Sequence, residues 1–381
     1  MNKKNNKWCI RFFINWIQQW LSEIKIVFGI HLLKYLSHDI LIGSYFNRTG
    51  GVSIHIQNIK NYSSLRIATL PEKDLSDYIR KYRREHDFKS KIEQLELRTK
   101  IIHSHVDPWF IEISKKHQER GLPWVHTYHT LYFEQDWKHD LHPWQLAINN
   151  ALLNIAKSAD VKIAVSKWLQ NFLLNEYQID SIYIPNGLNV KKCDAVDRVH
   201  FTKKYRLQNF ILYTGGLQEI KNPKLFIELA TTLSQWEFVM IGKGLSREGI
   251  IEELSMSIPE NLNIFGELVH SEVLEAVAAC RVFVMTSHSE GLPTAMMEAM
   301  ALERSVVGCD TYGIKEVIHS KKYGYLYESN NLNDLIEQTK KAYFDTSRCK
   351  SARERILENY DWSVVIPKLD AVYKNLLKRL T

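Results

Sequence analysis

Ser287-His-Ser-Glu290-Gly-Leu-Pro-Thr-Ala-Met-Met-Glu298-Ala-Met-Ala301 follows an apolar run, Val282-Phe-Val-Met285. The run predicts a buried strand, and the Ala/Met/Glu-rich segment after it predicts a helix. Glu290 is then expected on the loop at the strand's end and Glu298, eight residues on, about a turn into the helix. In an open α/β sheet, ligands bind outside the carboxyl ends of the strands. The helix start between Leu292 and Ala295 offers the backbone N–H groups of Leu292, Thr294 and Ala295, suited to a phosphate or a developing oxyanion. Pro293 is read as a first-turn residue, because the N–H it lacks has no partner there anyway. Taken alone, two glutamates at this spacing are as readily a solvated helix face.

The same alternation extends outward. Asn209–Tyr213, Glu237–Ile241, Leu262–Phe265 and Ser305–Gly308 read as further strands, with Thr214-Gly-Gly-Leu217 turning after the first and a helix over Pro223–Leu233. Upstream, Asp39–Gly43, Ser64–Thr69, Ile101–Val106, Trp124–His129, Val161–Val165 and Ile182–Pro185 read as strands. Helices are expected over Ile54–Ile59, Pro143–Ser158 and Ser166–Tyr177. Gly50-Gly51, after a strand and before a helix, lets backbone approach a phosphate without interference from a Cβ. Strands alternating with helices predict doubly wound parallel sheets. The fold class expected is α/β, with two Rossmann-like doubly wound domains facing across a cleft. Residues 39–195 would form the N-terminal domain, 196–360 the C-terminal domain and 361–381 a closing helix.

The Ser287/Glu290-Gly291/Glu298-Ala-Met-Ala301 pattern resembles the retaining glycosyltransferases of family 4, which have the GT-B fold (glycosyl transferases group 1). Their signature is Glu, seven residues, Glu in this context. The resemblance covers most of the chain after about residue 39. It implies a nucleotide diphosphate sugar as donor, UDP-linked by preference, and an acceptor hydroxyl in cell-envelope polysaccharide or glycolipid synthesis. It implies that Glu290 and His129 attend the sugar and that Glu298 binds the ribose. Gly50, Gly51, Gly216, Lys221, Leu292, Pro293 and Thr294 would serve the diphosphate, with no metal and no cofactor. Base selectivity would come from backbone near Phe265–Leu268. The closing helix, Trp362–Leu380, would pack back on the N-terminal domain. One departure stands out. The family usually places Arg five residues before the clamp lysine, and here Gly216 precedes Lys221 by that distance. Glycine cannot give the bidentate grip of a guanidinium, and Lys243 is a candidate replacement. That departure keeps open a non-catalytic alternative, a protein that binds a nucleotide sugar or a glycosyltransferase. An epimerase and a phosphorylase are weaker rivals, since the residues and chain length they call for are not found.

The chain has 381 residues, 45% apolar and 24% charged, enough for two cores of ordinary size. Five cysteines, Cys9, Cys193, Cys280, Cys309 and Cys349, are odd in number and widely spaced, which argues for reduced thiols in the cytoplasm. His103, His105, His126 and His129 invite a metal reading, but no acid or cysteine completes a ligand set nearby. The net charge of +7 is concentrated in residues 1–38, which hold six basic residues against Glu23. The remainder is too nearly neutral for a nucleic-acid-binding body. In a helix over that segment Cys9, Phe12, Phe13, Trp16, Trp20, Leu21 and Ile24 share a face. A basic amphipathic helix in the membrane interface fits, and so does a helix packed on the N-terminal domain or at a dimer contact. The segment lacks an uncharged span of membrane length and a signal-peptide cleavage site. The expected location is therefore cytoplasmic, at the inner face of the membrane, with peripheral contact through residues 1–38.

Overall fold

The computed structural model describes residues 16–18, 20, 21, 23–25, 27, 38–46 and 50–380, apart from Tyr82, Lys138 and Lys321. Cys9, Phe12 and Phe13 of the expected N-terminal apolar face lie outside the described residues. Among the described residues, twelve strands form two parallel six-stranded sheets. The first contains β1 (Ile40–Gly43), β2 (Ile67–Leu70), β3 (Ile101–Ser104), β4 (Trp124–Tyr128), β5 (Val161–Ala164) and β6 (Ile182–Tyr183) in the order β2-β1-β3-β4-β5-β6. The second contains β7 (Ile211–Thr214), β8 (Phe238–Ile241), β9 (Leu262–Phe265), β10 (Val282–Met285), β11 (Ser305–Cys309) and β12 (Tyr325–Tyr327) in the order β12-β11-β10-β7-β8-β9. This is a two-domain α/β, Rossmann-like fold.

Helices flank both sheets. In chain order from Gly51 onward they are α1 (Gly51–Tyr62), α2 (Lys73–Lys81), α3 (Glu85–Glu93), α4 (Pro108–Gln118), α5 (Pro143–Asn150), α6 (Lys167–Tyr177), α7 (Val190–Asp194) and α8 (His200–Tyr205). Then come α9 (Pro223–Thr232), α10 (Arg247–Leu254), α11 (His270–Ala279), α12 (Thr294–Ala301), α13 (Tyr312–Ile318), α14 (Leu332–Phe344), α15 (Cys349–Asn359) and α16 (Trp362–Lys378). The central strands β1, β3, β8 and β10 are buried along their whole length. That explains why β1, β8 and β10 read as unbroken apolar runs and not as alternating ones, while β3 buries His103 and Ser104 as well. Burial of one Val or Phe side chain such as those of Val282–Val284 contributes roughly 1.5–3 kcal/mol.

Several boundaries differ from the sequence reading. α1 begins at Gly51, three residues before the expected Ile54, because glycine at a helix start leaves no side-chain signal. The helix expected over Pro143–Ser158 is α-helical only to Asn150. It continues as a π-turn over Ala151–Ile155 and a 3-10 turn over Ala156–Ser158. Pro293 is not in the first turn of α12 but at its N-cap, with extended backbone, and its carbonyl accepts from Met297 N–H at 3.2 Å.

The chain divides into two compact units, residues 1–126 with 158–160 and 370–381, and residues 127–157 with 161–369. In the first, the carboxylate of Asp370 accepts from the hydroxyls of Ser63 and Ser64 at 2.6 and 2.7 Å, and the Tyr373 hydroxyl lies 2.6 Å from His103 Nδ1. Ser104 Oγ meets His126 Nδ1 at 2.8 Å. In the second, Leu188 and Trp362 exchange backbone bonds with each other's neighbourhood, and a Cβ on Gly187 would lie 2.4 Å from the Trp362 ring. Only glycine lets the indole close on the chain there.

Candidate functional site

In the second sheet the strand order reverses between β7 and β10. Two loops leave the carboxyl ends of these neighbours, Gly215–Asn222 after β7 and Thr286–Pro293 after β10. Such a switch point is where an open α/β sheet offers a crevice. Backbone and side-chain bonds lace the loops together. Thr286 Oγ1 donates to the carbonyls of Lys221 (3.0 Å) and Asn222 (2.8 Å), and His288 N–H donates to the Ile220 carbonyl at 2.8 Å. A 3-10 turn, Glu219–Lys221, presents the lysine, and Asn222 then caps α9 by accepting from Leu225 N–H.

Lys221 Nζ and Glu290 Oε1 stand 2.6 Å apart, with the carboxylate only 16% exposed. Gly291 follows, packed so tightly that a Cβ on it would lie 1.8 Å from the His129 carbonyl oxygen. The structure thus brings together Lys221, Glu290, Gly291 and the end of β4 at His129, which is itself buried. Gly313 N–H holds the Glu290 carbonyl at 3.0 Å, and Asn186 Nδ2 reaches the Leu292 carbonyl at 3.4 Å. Leu292 is buried and Thr294 opens α12, whose first-turn amides precede the intrahelical ladder.

Glu298 lies on α12, and its Oε1 meets His270 Nε2 at 2.8 Å; His270 Nδ1 lies 2.9 Å from Lys192 Nζ. Gly216 lies between Tyr213, whose hydroxyl donates to the Gly216 carbonyl at 3.0 Å, and Gln218. A Cβ on Gly216 would come 2.4 Å from Gln218 Oε1, so a glutamine, not a cation, lies against the position. Lys243 is exposed. Phe265 closes β9 with its ring against Tyr205 (4.6 Å) and Phe201 (5.7 Å), and its carbonyl receives Gly242 N–H. Gly50 and Gly51 belong to the first unit, at the N-terminus of α1. There they line a cavity of about 340 Å³ with Ser44, Phe46 and Asp107, whose carboxylate accepts from Ser44 Oγ at 2.5 Å.

Sequence reasoning missed Asn186 as a partner of Leu292, His270 as the partner of Glu298, and Asp136. Asp136 ends a 3-10 turn, Glu134–Asp136, and is 8% exposed. Burial raises its carboxyl's pKa, opposed by hydrogen bonds with Ser289 and Tyr312. Asn186 directly follows the expected strand Ile182–Pro185, which is the one local signal the sequence offers for it. The other two depend on contacts far apart in sequence.

Two family models match the chain in succession, Glycosyltransferase Family 4 over residues 49–192 and Glycosyl transferases group 1 over residues 199–359. The chain belongs to the family 4 glycosyltransferases of the GT-B fold. Among family relatives, it is 22% identical over 317 residues to the Escherichia coli UDP-Gal:alpha-D-GlcNAc-diphosphoundecaprenol alpha-1,3-galactosyltransferase, covering 76% of this chain and 80% of that one. It is 24% identical over 206 residues to the Staphylococcus aureus poly(ribitol-phosphate) alpha-N-acetylglucosaminyltransferase, covering 51% of this chain and 40% of the other. It spans 38% to 60% of the length of three of the curated relatives it matches. The structure of Anabaena HepE in complex with UDP and glucose superposes with a TM-score of 0.70 at 14% identity, over 89% of this chain and 100% of that one. At such identity the likeness shows the fold.

Proposed function

We propose that this protein transfers a hexose-type sugar from a UDP-sugar to an acceptor hydroxyl of a cell-envelope polysaccharide or glycolipid, retaining the anomeric configuration. The observation that carries the reading is the meeting of Lys221 and Glu290 at the head of α12. One cation and the amides of a helix start suit a leaving diphosphate, which gathers negative charge as the glycosidic bond breaks. They do so without a divalent metal. On this reading Glu290 exchanges its lysine for the donor's hydroxyls and orients the ring, and His129 faces the sugar. Glu298 accepts from the ribose hydroxyls, held in place by His270. The acceptor attacks on the face the diphosphate leaves, and the leaving phosphate takes its proton. No carboxylate is assigned as a nucleophile, as it would be in a retaining glycosidase. The E. coli and S. aureus relatives, both named for alpha-linked products, favour retention from an alpha-linked UDP-sugar.

The test is to offer UDP-glucose, UDP-galactose and their N-acetylamino counterparts with a polyprenyl-diphosphate-linked acceptor in the presence of EDTA. UDP release with an alpha-linked product is expected. A beta-linked product would overturn retention, and dependence on a divalent cation would overturn the metal-free diphosphate site. Gly216 favours a second reading, a nucleotide-sugar-binding partner without turnover. UDP binding with no UDP release from any donor would select it.

Membrane contact belongs to the same reading. The described part of residues 16–27 is helical, and Trp16, Trp20, Leu21 and Ile24 are each about half exposed. Glu23 lies 3.8 Å from Arg84, and Lys25 lies over the Tyr78 ring at 5.3 Å, so polar side chains join this helix to the body. Among the described residues no helix is long and apolar enough to cross a membrane. An outward apolar stripe within residues 1–38, whose net charge is +5, suits the interface of an anionic bilayer. Co-sedimentation with phosphatidylglycerol vesicles is expected, lost in Trp20→Ser/Leu21→Ser. Equal sedimentation of that variant would remove the helix from the contact.

A further inference from the structure

We propose that the cavity beside Asp136 is a subsite for a pyranose ring of the acceptor, in which Asp136 and Trp137 hold the ring's hydroxyls. This rests on the transferase reading above and adds the acceptor's position and two residues to it. The cavity measures about 300 Å³, at the small end of ligand pockets, and is lined among others by Gln135, Asp136, Trp137, Glu219, Tyr312 and Asn330. The turn that carries Asp136 is docked firmly. Phe133 stacks on Tyr312 with ring centres 5.9 Å apart, and Gln135 Nε2 donates to the Tyr312 hydroxyl at 3.4 Å. Ser289, which bonds the Asp136 carboxyl, immediately precedes Glu290 in the chain.

Two polar atoms here have no protein partner among the described residues. Both Asp136 Oδ2 and Trp137 Nε1 are buried and unbonded. Buried polar groups are nearly always satisfied, so such a pair asks what completes it. The carboxylate needs a donor and the indole N–H needs an acceptor. A hydroxyl is both, and neighbouring hydroxyls on one ring can serve the two together. A fully ionised phosphate brings no proton for Asp136, and any phosphate meets the charge of Glu219 as well, while an ammonium leaves the indole unpaired. No lysine or arginine lines the cavity among the described residues. Trp137 and Tyr312 also line the cavity, and aromatic rings are the side chains that pack against the C–H face of a sugar.

The test is saturation-transfer NMR with the methyl α- and β-pyranosides of glucose, galactose, N-acetylglucosamine and N-acetylgalactosamine. It is run with and without UDP, on the native protein, Asp136→Asn and Asp136→Ala. At least one glycoside is expected to bind the native protein, at least tenfold more weakly in Asp136→Asn and not measurably in Asp136→Ala. UDP affinity should stay within twofold in both variants, which shows that they fold. Glycoside binding unchanged in the variants would overturn the assignment. So would the absence of glycoside binding to the native protein, which would leave the cavity to solvent. If the native protein fails to bind UDP, the donor reading falls, and the glycoside signal without nucleotide still reads the subsite by itself.

Discussion

Lys221 is held by Glu290 at 2.6 Å, so an incoming diphosphate competes with a carboxylate for the ammonium. This has opposite consequences for the two residues. Lys221→Ala should weaken UDP binding tenfold to a hundredfold, the effect of removing a hydrogen bond to a charged group, about 1.5–3 kcal/mol. Glu290→Gln should leave UDP binding equal or tighter and lower turnover by on the order of a hundredfold, as loss of a group that orients the reacting sugar does. Calorimetry and UDP release measure the two separately. Parallel losses in both assays for Glu290→Gln would mean that the carboxylate supports the loop, not the sugar. Gly216 allows a gain-of-function experiment. Its neighbour in the direction of a side chain is the far end of Gln218, which can swing away. Gly216→Arg should therefore be accommodated and raise UDP affinity about tenfold through a bidentate phosphate contact. Unchanged affinity would mean that the diphosphate lies elsewhere.

At the scale of elements, the loop between β10 and α12 depends on glycines more than on its glutamates. A methyl group on Gly291 has nowhere to go, with the His129 carbonyl 1.8 Å from its place. Backbone, unlike a side-chain tip, cannot swing aside. Gly291→Ala should lower the melting temperature by several degrees, for a cost of roughly 1–3 kcal/mol, and abolish turnover. Scanning calorimetry with the same UDP-release assay checks this, and a variant with native stability and activity would refute the packing. Much of this element was legible in the sequence. Val282–Met285 and the Glu290/Glu298 spacing gave β10 and α12 directly, since an apolar run and a helical composition act locally. Pro293 was misassigned by one turn position because a proline suits both the cap and the first turn. Asp136 was hidden for a different reason. Its burial comes from a short turn packed on Ser289 and Tyr312, more than 150 residues away, and no local pattern encodes that. Tyr325–Tyr327 escaped because a three-residue edge strand carries too little periodicity.

Over the whole molecule, buried histidines make stability fall as the solution is acidified. Burial lowers the His55 imidazole to about 4, and burial with nearby Arg120 lowers His117 to about 4. His103 is likewise held well below its ordinary value by burial, next by His126 and His55. Each stays neutral in the fold while the unfolded chain takes up a proton near pH 6.5. The stability they contribute is thus present above pH 6.5 and is lost as pH falls towards 4, by up to roughly 3 kcal/mol for a fully shifted histidine. The melting temperature should fall steadily over that window, and His117→Leu should flatten the slope. A flat native profile between pH 6.5 and 4 would contradict it. The organisation into two parallel sheets followed from strands alternating with helices along the sequence. The reversal of order at β7 and β10, which puts Lys221 beside Glu290, is a property of pairing that only the structure supplies.

The most direct test of the central claim, that the switch point of the second sheet holds a nucleotide diphosphate through Lys221 and the head of α12, is calorimetric titration with UDP, GDP and ADP in EDTA. Native protein and Lys221→Ala are compared. The account predicts micromolar binding of UDP to the native protein, weakened at least tenfold in the variant. Binding of none of the three nucleotides, or UDP binding indifferent to Lys221, would contradict it.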